Sequence, residues 1–260
     1  MSKSRPRNRP ESAKRRSGGR VPTDKANWLW GQHAVEAAMA NPRRRIKRVL
    51  ASRNALERLM QKPQNYEDIA PADLSDRLPV GAVHQGIAIE VDPLPSVHLE
   101  DLIASGAQRL VVLDQVTDPH NLGAIFRSAA AFGFGGIILQ SRNTPPITGV
   151  VAKSAAGAIE TVAECRVVNI ARALDQLSQA GFHGIGLAGE GRALINQAVQ
   201  GAAKVSIVLG AEGAGLRPGV AKACAELARI PIDSSMESLN VSNAAAIAFY
   251  ETAMATTQTS

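Results

Sequence analysis

The chain has 260 residues, of which 45% are apolar and only 3% aromatic, and it carries a formal charge of +6. These totals predict a globular protein with an aliphatic core rather than a disordered or membrane-embedded one. No apolar run approaches the roughly 18 residues that a membrane-spanning helix needs. The N-terminus lacks the apolar segment of a secretory signal, so we expect a cytoplasmic protein.

The positive charge is concentrated at the N-terminus. Residues 1–25 contain nine Lys and Arg against two acidic residues, a charge of +7, which leaves −1 for residues 26–260. A segment this basic and this poor in apolar residues buries too little surface to fold alone, so we expect a disordered tail. Such a tail can anchor a protein to a polyphosphate by releasing counterions, or it can act as a solubiliser only.

Residues 26–95 are expected to form a small α/β unit. Apolar spacing predicts four elements there: helices over 31–40 and 55–61, and strands over 46–51 and 86–91. Pro93 and Pro95 then interrupt the chain. We therefore place a domain boundary at residue 95.

Residues 96–260 are expected to form a larger unit around a parallel sheet. Short unbroken apolar runs alternate with helical patterns, which predicts a sheet covered on both faces. The predicted strands cover 110–113, 136–139, 185–187, 205–209 and 227–232, and the helices 120–132, 170–180 and 241–255. In such sheets, ligands bind outside the carboxyl ends of the strands.

Neither a disulfide framework nor a metal site is expected. Cys165 and Cys224 are two lone cysteines, and lone cysteines are usually small buried hydrophobes. The five histidines are scattered without the spacing of metal ligands. We predict no metal.

The first chemically unusual loop follows the strand at 110–113. Asp118 before Pro119 is typical of a helix N-cap followed by proline at the first helical position. Gly123 and Arg127 are four residues apart and share a face of that helix, which would let a phosphate approach the guanidinium. An ordinary capped helix with a surface arginine has the same spacing, so both interpretations stay open.

The second loop is rich in glycine. Gly210, Gly213 and Gly215 follow a buried strand, where they allow the backbone to come close to a ligand. Their order is G-x-x-G-x-G, which is neither the dinucleotide fingerprint nor a P-loop.

A third loop combines serine and asparagine ahead of an Ala-rich helix. Ser238, Asn240, Ser242 and Asn243 are more polar residues than one helix cap requires. A fourth loop at 188–191 follows another predicted strand and would add a further wall to a pocket.

Together these loops resemble the three signature motifs of the SpoU/TrmH family of RNA ribose 2′-O-methyltransferases, within the SPOUT superfamily. The resemblance covers about residues 110–250 and includes Lys-Ser-Ala-Ala-Gly-Ala-Ile-Glu at 153–160. In the smaller unit, residues 31–36 and 84–87 resemble the L30e-like substrate-binding domain of bacterial members that methylate guanosine riboses of 23S ribosomal RNA.

The resemblance implies an α/β protein with a C-terminal trefoil-knotted parallel-sheet domain, preceded by a small L30e-like RNA-binding domain. It implies S-adenosylmethionine as cofactor, 23S ribosomal RNA as substrate, and a homodimer with its site near the dimer interface. The motif positions that would be catalytic are Asn121, Arg127, Glu212, Ser238 and Asn240. Those that would hold the cofactor are Leu187, Ala188, Gly189, Leu209, Gly210, Ile230, Ile232 and Leu239.

The resemblance makes Arg127 the candidate for activating the ribose hydroxyl. An arginine has a pKa above about 12 and seldom gives up its proton. We therefore expect Arg127 to stabilise a phosphate and the developing alkoxide instead of acting as a base. Glu212 would fix this arginine or order its own loop, and the Asn and Ser positions would orient the ribose and the third loop.

Three other interpretations stay open. A tRNA ribose methyltransferase would share the same motifs, although the L30e-like unit disfavours it. A non-catalytic RNA-binding assembly protein could keep the fold without the reaction. A Rossmann-type enzyme is disfavoured because its fingerprint is missing.

Overall fold

The computed structural model describes residues 27–142 and 144–257. The predicted basic tail lies outside these described residues. Within them the chain forms two sheets, each flanked by helices. None of the helices in this part of the chain has the length and apolar character needed to cross a membrane.

The smaller sheet has four strands in the order β1-β4-β2-β3. Its elements are β1 (Trp28–Trp30), α1 (Gln32–Ala40), β2 (Ile46–Ala51), α2 (Arg53–Glu57), β3 (Glu67–Asp68), α3 (Pro71–Arg77) and β4 (Ile87–Val91). Strand β4 pairs antiparallel with both β1 and β2, whereas β2 and β3 are parallel. Alternation along β1 sends Trp28 and Trp30 toward Leu74 of α3, and Leu29 toward Val35 of α1.

The larger sheet has seven strands, all parallel, in the order β7-β6-β5-β10-β8-β11-β9. These strands are β5 (Arg109–Leu113), β6 (Gly136–Gln140), β7 (Ala163–Val167), β8 (His183–Leu187), β9 (Ala193–Leu194), β10 (Val205–Leu209) and β11 (Glu226–Arg229). The helices are α4 (Leu99–Ala104), α5 (Pro119–Ala131), α6 (Gly149–Ala155), α7 (Ile170–Gln179), α8 (Ile195–Ala198), α9 (Pro218–Ala223) and α10 (Val241–Thr257), and a 3-10 helix covers Ala158–Glu160.

Both faces of the larger sheet are buried, as the unbroken apolar strands predict. Along β5, Val111 and Leu113 pack with residues of α5, α6 and α10, whereas Leu110 and Val112 pack with residues of α4, α7 and α9. The sheet is therefore the middle layer of three. The first of these cores also includes the side of the smaller sheet that carries Leu29.

The five predicted strands of the larger unit are present, although β11 ends at Arg229 instead of the predicted residue 232, and two strands were not predicted. Both of these, β7 and β9, lie at the edges of the sheet. Strand β7 carries Glu164 and Arg166 between apolar residues, so it lacks the unbroken apolar run of a central strand. The helix predicted over 55–61 is wrong in its bounds, because Arg58 ends α2 and its carbonyl accepts a hydrogen bond from Gln32 Nε2 at 2.9 Å.

Helix α6 is the surface on which the two units meet. Gly149 lies at its first turn against β1, and a Cβ there would overlap the ring of Trp30. Gly157 follows its C-terminal end, and a Cβ there would come within 2.6 Å of the Ala37 Cβ on α1. The absence of side chains at these two positions allows the backbones of the two units to approach closely.

A buried ion pair also joins the two units. Arg44 of the smaller unit donates through Nη2 to Glu160 Oε1 at 2.7 Å, and the side chains are only 4% and 3% exposed. Asn41 Nδ2 donates to the second carboxylate oxygen at 2.7 Å, and Arg44 Nη1 donates to the carbonyl of Asp92 at 2.9 Å. The Glu160 carboxylate is thus neutralised and hydrogen-bonded, as burial of a charge requires.

Candidate active site

A cleft of about 500 Å³ lies at the carboxyl ends of β8, β10 and β11. Its volume is within the roughly 300–1,000 Å³ typical of small-molecule sites. All eight residues expected to hold a cofactor line it: Leu187, Ala188, Gly189, Leu209, Gly210, Ile230, Ile232 and Leu239. The strand ends therefore converge as a parallel sheet requires.

The glycine-rich loop after β10 folds back on itself at one wall of the cleft. The backbone N–H of Ala211 donates to the carbonyl of Gly215 at 3.1 Å, and the reverse bond measures 2.9 Å. A Cβ at Gly210 would overlap the backbone of Gly215, and Gly213 and Gly215 have φ of +76° and +67°. Glycine is needed here because the loop is tight and partly left-handed.

Gly189 has a different relation to the cleft. A Cβ added there would meet no atom within 4 Å, and its φ is not left-handed. Gly189 lines the cleft, and the space beside it is free of protein atoms.

At one edge of the cleft, three segments far apart in sequence share hydrogen bonds. Glu212 Oε1 accepts from Asn121 Nδ2 at 2.7 Å and from Asn240 Nδ2 at 2.8 Å. Asn240 Nδ2 also donates to Asn121 Oδ1 at 3.1 Å. Asn240 Oδ1 accepts from the backbone of Ser242 at 2.9 Å, so this residue also caps α10. We call Asn121, Glu212 and Asn240 the amide–carboxylate cluster.

The structure brings Ser238 to the same cleft but leaves Arg127 outside the cluster. Arg127 is exposed, and no hydrogen bond or ion pair joins its guanidinium to any residue in 27–142 or 144–257. It follows Asn121 on α5 by six residues, a rotation of about 240° around the helix. Within one chain, Glu212 therefore holds two amides instead of the guanidinium.

The remaining features of the first loop have structural explanations. The predicted N-cap is confirmed, because Asp118 Oδ1 accepts from the backbone of His120 at 2.9 Å and Pro119 follows it. Gly123 faces α6, where a Cβ would come within 2.6 Å of the Val151 carbonyl oxygen. This glycine is explained by close helix packing, and the structure does not connect it with a ligand of Arg127.

Sequence reasoning missed one buried carboxylate beside the cleft. Asp114 directly follows β5, is fully buried, and accepts from Arg217 Nε at 2.8 Å and from the backbone N–H of the same residue at 3.0 Å. Arg217 Nη2 also donates to Gln140 Oε1 at 3.2 Å. The pair ties the end of β5 to the residue that closes the glycine-rich loop. The only sequence signal was an acidic residue directly after four apolar ones.

Neither cysteine belongs to the cleft. Cys165 is buried on β7, and burial raises the pKa of its thiol to about 11. Burial, with the charge of Asp114, raises the pKa of Cys224 to about 12. In the described part of the chain, no three His, Cys, Asp or Glu residues gather to hold a metal ion.

A parallel α/β sheet with a glycine-bordered cleft at its strand ends is the architecture of a ligand-binding α/β enzyme. Comparison with known proteins identifies the family. The sequence model of the SpoU rRNA methylase family matches residues 108–250, and that for RNA 2′-O ribose methyltransferase substrate binding matches 28–97. The chain therefore belongs to the SpoU rRNA methylase family. The predictions of an RNA 2′-O-methyltransferase and of S-adenosylmethionine as its cofactor are confirmed by this membership.

Individual relatives agree with that assignment. The chain is 37% identical to the 23S rRNA (guanosine-2′-O-)-methyltransferase RlmB of Vibrio cholerae, over 86% of this chain and 94% of the relative. It is 34% identical to an uncharacterized tRNA/rRNA methyltransferase of Mycolicibacterium vanbaalenii, over 94% and 81%. Its fold is similar to that of the SpoU methyltransferase AviRb from Streptomyces viridochromogenes in complex with AdoMet, with TM-score 0.73, 21% identity, and coverage of 88% and 90%.

Proposed function

We propose that this enzyme methylates the 2′-hydroxyl of a guanosine ribose in 23S ribosomal RNA. The proposal is supported by the similarity to RlmB of Vibrio cholerae along nearly the whole of both chains. The observation that carries the reaction is the amide–carboxylate cluster, because it joins three separate segments at the edge of a cofactor-sized cleft.

The cleft fits the cofactor on two observations: its volume, and the open space that Gly189 leaves within it. The backbone and apolar side chains of Leu187, Leu209 and Leu239 would hold S-adenosylmethionine there. When bound, this cofactor supplies an electrophilic methyl group. The chain's own contribution is to hold the ribose oxygen in line with that group, which can account for much of the rate.

We assign the ribose-orienting role to Asn121, Ser238 and Asn240, and the ordering of their loops to Glu212. Arg127 is exposed and has no partner among the described residues, so its guanidinium is available to the RNA. We assign it the stabilisation of a phosphate and of the negative charge that develops on the ribose oxygen. An arginine keeps its proton in this role, because a guanidinium is not deprotonated in proteins.

We propose further that the enzyme is a homodimer whose interface includes α10. Ile247, Tyr250 and Met254 lie three and four residues apart on this helix, which places them on one face, and all are exposed. Helix α10 starts directly after Asn240 of the amide–carboxylate cluster. A second copy covering this stripe would therefore lie beside the candidate site.

Two aspects of the fold belong to the same proposal. The smaller unit would be an L30e-like RNA-binding domain, supported by its match to the substrate-binding model. The larger unit would be trefoil-knotted at its C-terminus, supported by the return of the chain after β11 to contact Asn121 and Glu212. We place the enzyme in the cytoplasm with its ribosomal RNA substrate.

The assay that tests this function compares methyl transfer to 23S ribosomal RNA fragments and to tRNA, with mapping of the modified ribose. Arg127→Ala should abolish transfer while the dissociation constant for S-adenosylmethionine, measured by calorimetry, changes less than about twofold. Transfer to tRNA alone would establish the rival substrate. Normal turnover by Arg127→Ala would remove this residue from the mechanism, and cofactor binding without any transfer by the wild type would favour an assembly protein.

A further inference from the structure

Much of the positive charge on the smaller unit is already neutralised. Most of the exposed cations on and beside β2 have carboxylates within ion-pair distance: Arg45 and Lys47 with Asp92, Arg48 with Glu67 and Glu90, and Arg53 with Asp68. This face therefore has little free positive charge to offer to RNA. The body of the chain, residues 26–260, has a net charge of −1, so any site for a polyanion must be local.

Lys153 is a cation without such a partner. It lies on α6, on the same face as Gly149, and its Nζ donates to Gln85 Oε1 of the smaller unit at 3.0 Å. The ammonium rests against Gly31, where a Cβ would collide with it. No carboxylate within the described residues pairs with it, and burial lowers its pKa. A half-buried ammonium held by one amide oxygen is stabilised further when an anion binds.

The contacts of Lys153 extend into the smaller unit. Gln85 is held at φ +56°, a left-handed conformation that side chains rarely adopt. In that position its carbonyl accepts from Arg58 Nη2 at 2.7 Å, and its Oε1 also accepts from the backbone of Gln32 at 3.1 Å. The strained residue thus contacts two cations, Lys153 through its side chain and Arg58 through its carbonyl. Strain of this kind is often found at binding sites.

In the other direction the contacts reach the candidate active site. Ser154 follows Lys153 on α6, and its Oγ lies 3.4 Å from His120 Nδ1 on α5. His120 is exposed and immediately precedes Asn121 of the amide–carboxylate cluster. We call Arg58, Gln85, Lys153, Ser154 and His120 the seam: hydrogen bonds join Arg58 and Lys153 to Gln85, Ser154 contacts His120, and Lys153 and Ser154 are successive residues of α6.

We propose that the seam binds the sugar–phosphate backbone of the RNA strand next to the ribose that is methylated, with Lys153 as its central phosphate contact. This inference rests on the proposed function and deepens it by naming where the substrate strand lies. Phosphate contacts fix the register of a nucleic acid on a protein without reading its sequence. A strand held along the seam would present the neighbouring ribose to the cluster.

The charges around the seam define its limits. Glu36 lies beside it in the smaller unit, where its Oε1 accepts from Gln32 Nε2 at 3.2 Å and from the backbone of Met60 at 3.0 Å. Gln32 Nε2 also donates to the carbonyl of Arg58 at 2.9 Å, so this carboxylate lies near the Arg58 end of the seam. A polyanion on the seam would be repelled at that end and attracted by Lys153.

The test measures the salt dependence of RNA binding in the full chain. The probe is a fluorescein-labelled RNA hairpin, and the variants are Lys153→Gln and, as matched control, Lys222→Gln. Lys222 is exposed on α9, on the opposite face of the sheet, so its loss removes the same charge from a different place. Each phosphate contact contributes about 0.7–0.9 to the slope of log affinity against log salt. Lys153→Gln should lower the slope by about this amount, and Lys222→Gln should leave it unchanged.

A second variant keeps the test valid if Lys153→Gln disturbs folding at the junction of the two units. Arg58→Gln removes an exposed side chain and should also lower the slope, by about 0.7–0.9. Equal slopes for the wild type, Lys153→Gln and Arg58→Gln would overturn the seam as a phosphate site. Because the slope is read from binding alone, this result differs from failure of the proposed function, which appears as absent methyl transfer by the wild type.

Discussion

Two carboxylates in this enzyme each join distant segments through asparagine side chains, but their surroundings differ. Glu160 is buried at the junction of the two units, where Arg44 neutralises it and Asn41 completes its hydrogen bonds. Glu212 is exposed at the cleft and receives only the amides of Asn121 and Asn240. The first group must be paired because it has lost its water. The second keeps its charge available to a ligand, and we therefore read the first as structural and the second as functional.

The same Glu→Gln substitution at both sites tests whether the two carboxylates differ in role. We expect the larger effect at Glu160, on the free energy of unfolding. Glu160→Gln leaves the Arg44 guanidinium buried without its counter-charge, so the free energy of unfolding should fall by about 3 kcal/mol or more. Urea denaturation of the purified protein measures it.

The matched control for Glu160→Gln is Asp68→Asn. Asp68 pairs with Arg53 at 3.1 Å, but both side chains are well exposed. Exposed pairs contribute little, so the midpoint of unfolding should be unchanged within error. If Glu160→Gln lost no more stability than this control, the ion pair would not be what holds the two units together.

At Glu212 the same substitution should act on turnover. Glu212→Gln replaces a charged acceptor of two amide hydrogen bonds with a neutral amide oxygen, whose weaker bonds hold Asn121 and Asn240 less firmly. Misplacement by about 1 Å can cost a hundredfold in rate, and we expect kcat for RNA methylation to fall by about that factor. Because Glu212 itself is exposed, the free energy of unfolding should change by less than about 1 kcal/mol. A large loss of stability with normal kcat would reverse the roles assigned to the two carboxylates.

The family resemblance implied which residues would hold the cofactor, and they meet because parallel strands bring their carboxyl ends to one edge. Leu187, Leu209 and Ile230 are far apart in the chain and line one cleft. The link between Asp114 and Arg217 was not predictable, since its partners are 103 residues apart and an acidic residue after a strand is common in loops.

The main strands were predicted and the contact between the two units was not. Central strands can be recognised in a sequence by their unbroken apolar runs. Strand β1 has only three residues, too few to show a hydrophobic periodicity. Gly149 and Gly157 look like loop glycines in the sequence. Glycine is needed at these positions because Trp30 and Ala37, more than 100 residues earlier in the chain, pack against them, and only the structure shows these contacts.

The smallest expected effect concerns Gly189, which lines the cleft together with the functional carboxylate Glu212. Gly189→Ala adds a methyl group that meets no protein atom within 4 Å and needs no left-handed backbone, so the free energy of unfolding should not decrease. If S-adenosylmethionine fills the cleft beside Gly189, the methyl group competes with it. Overpacking by one such group costs about 1–3 kcal/mol, so calorimetry should show a dissociation constant raised by about tenfold. Gly219→Ala on α9 is the control, since a Cβ there also meets nothing within 4 Å but lies outside the cleft. Equal cofactor affinities for the two variants would mean that the cofactor does not occupy the space beside Gly189.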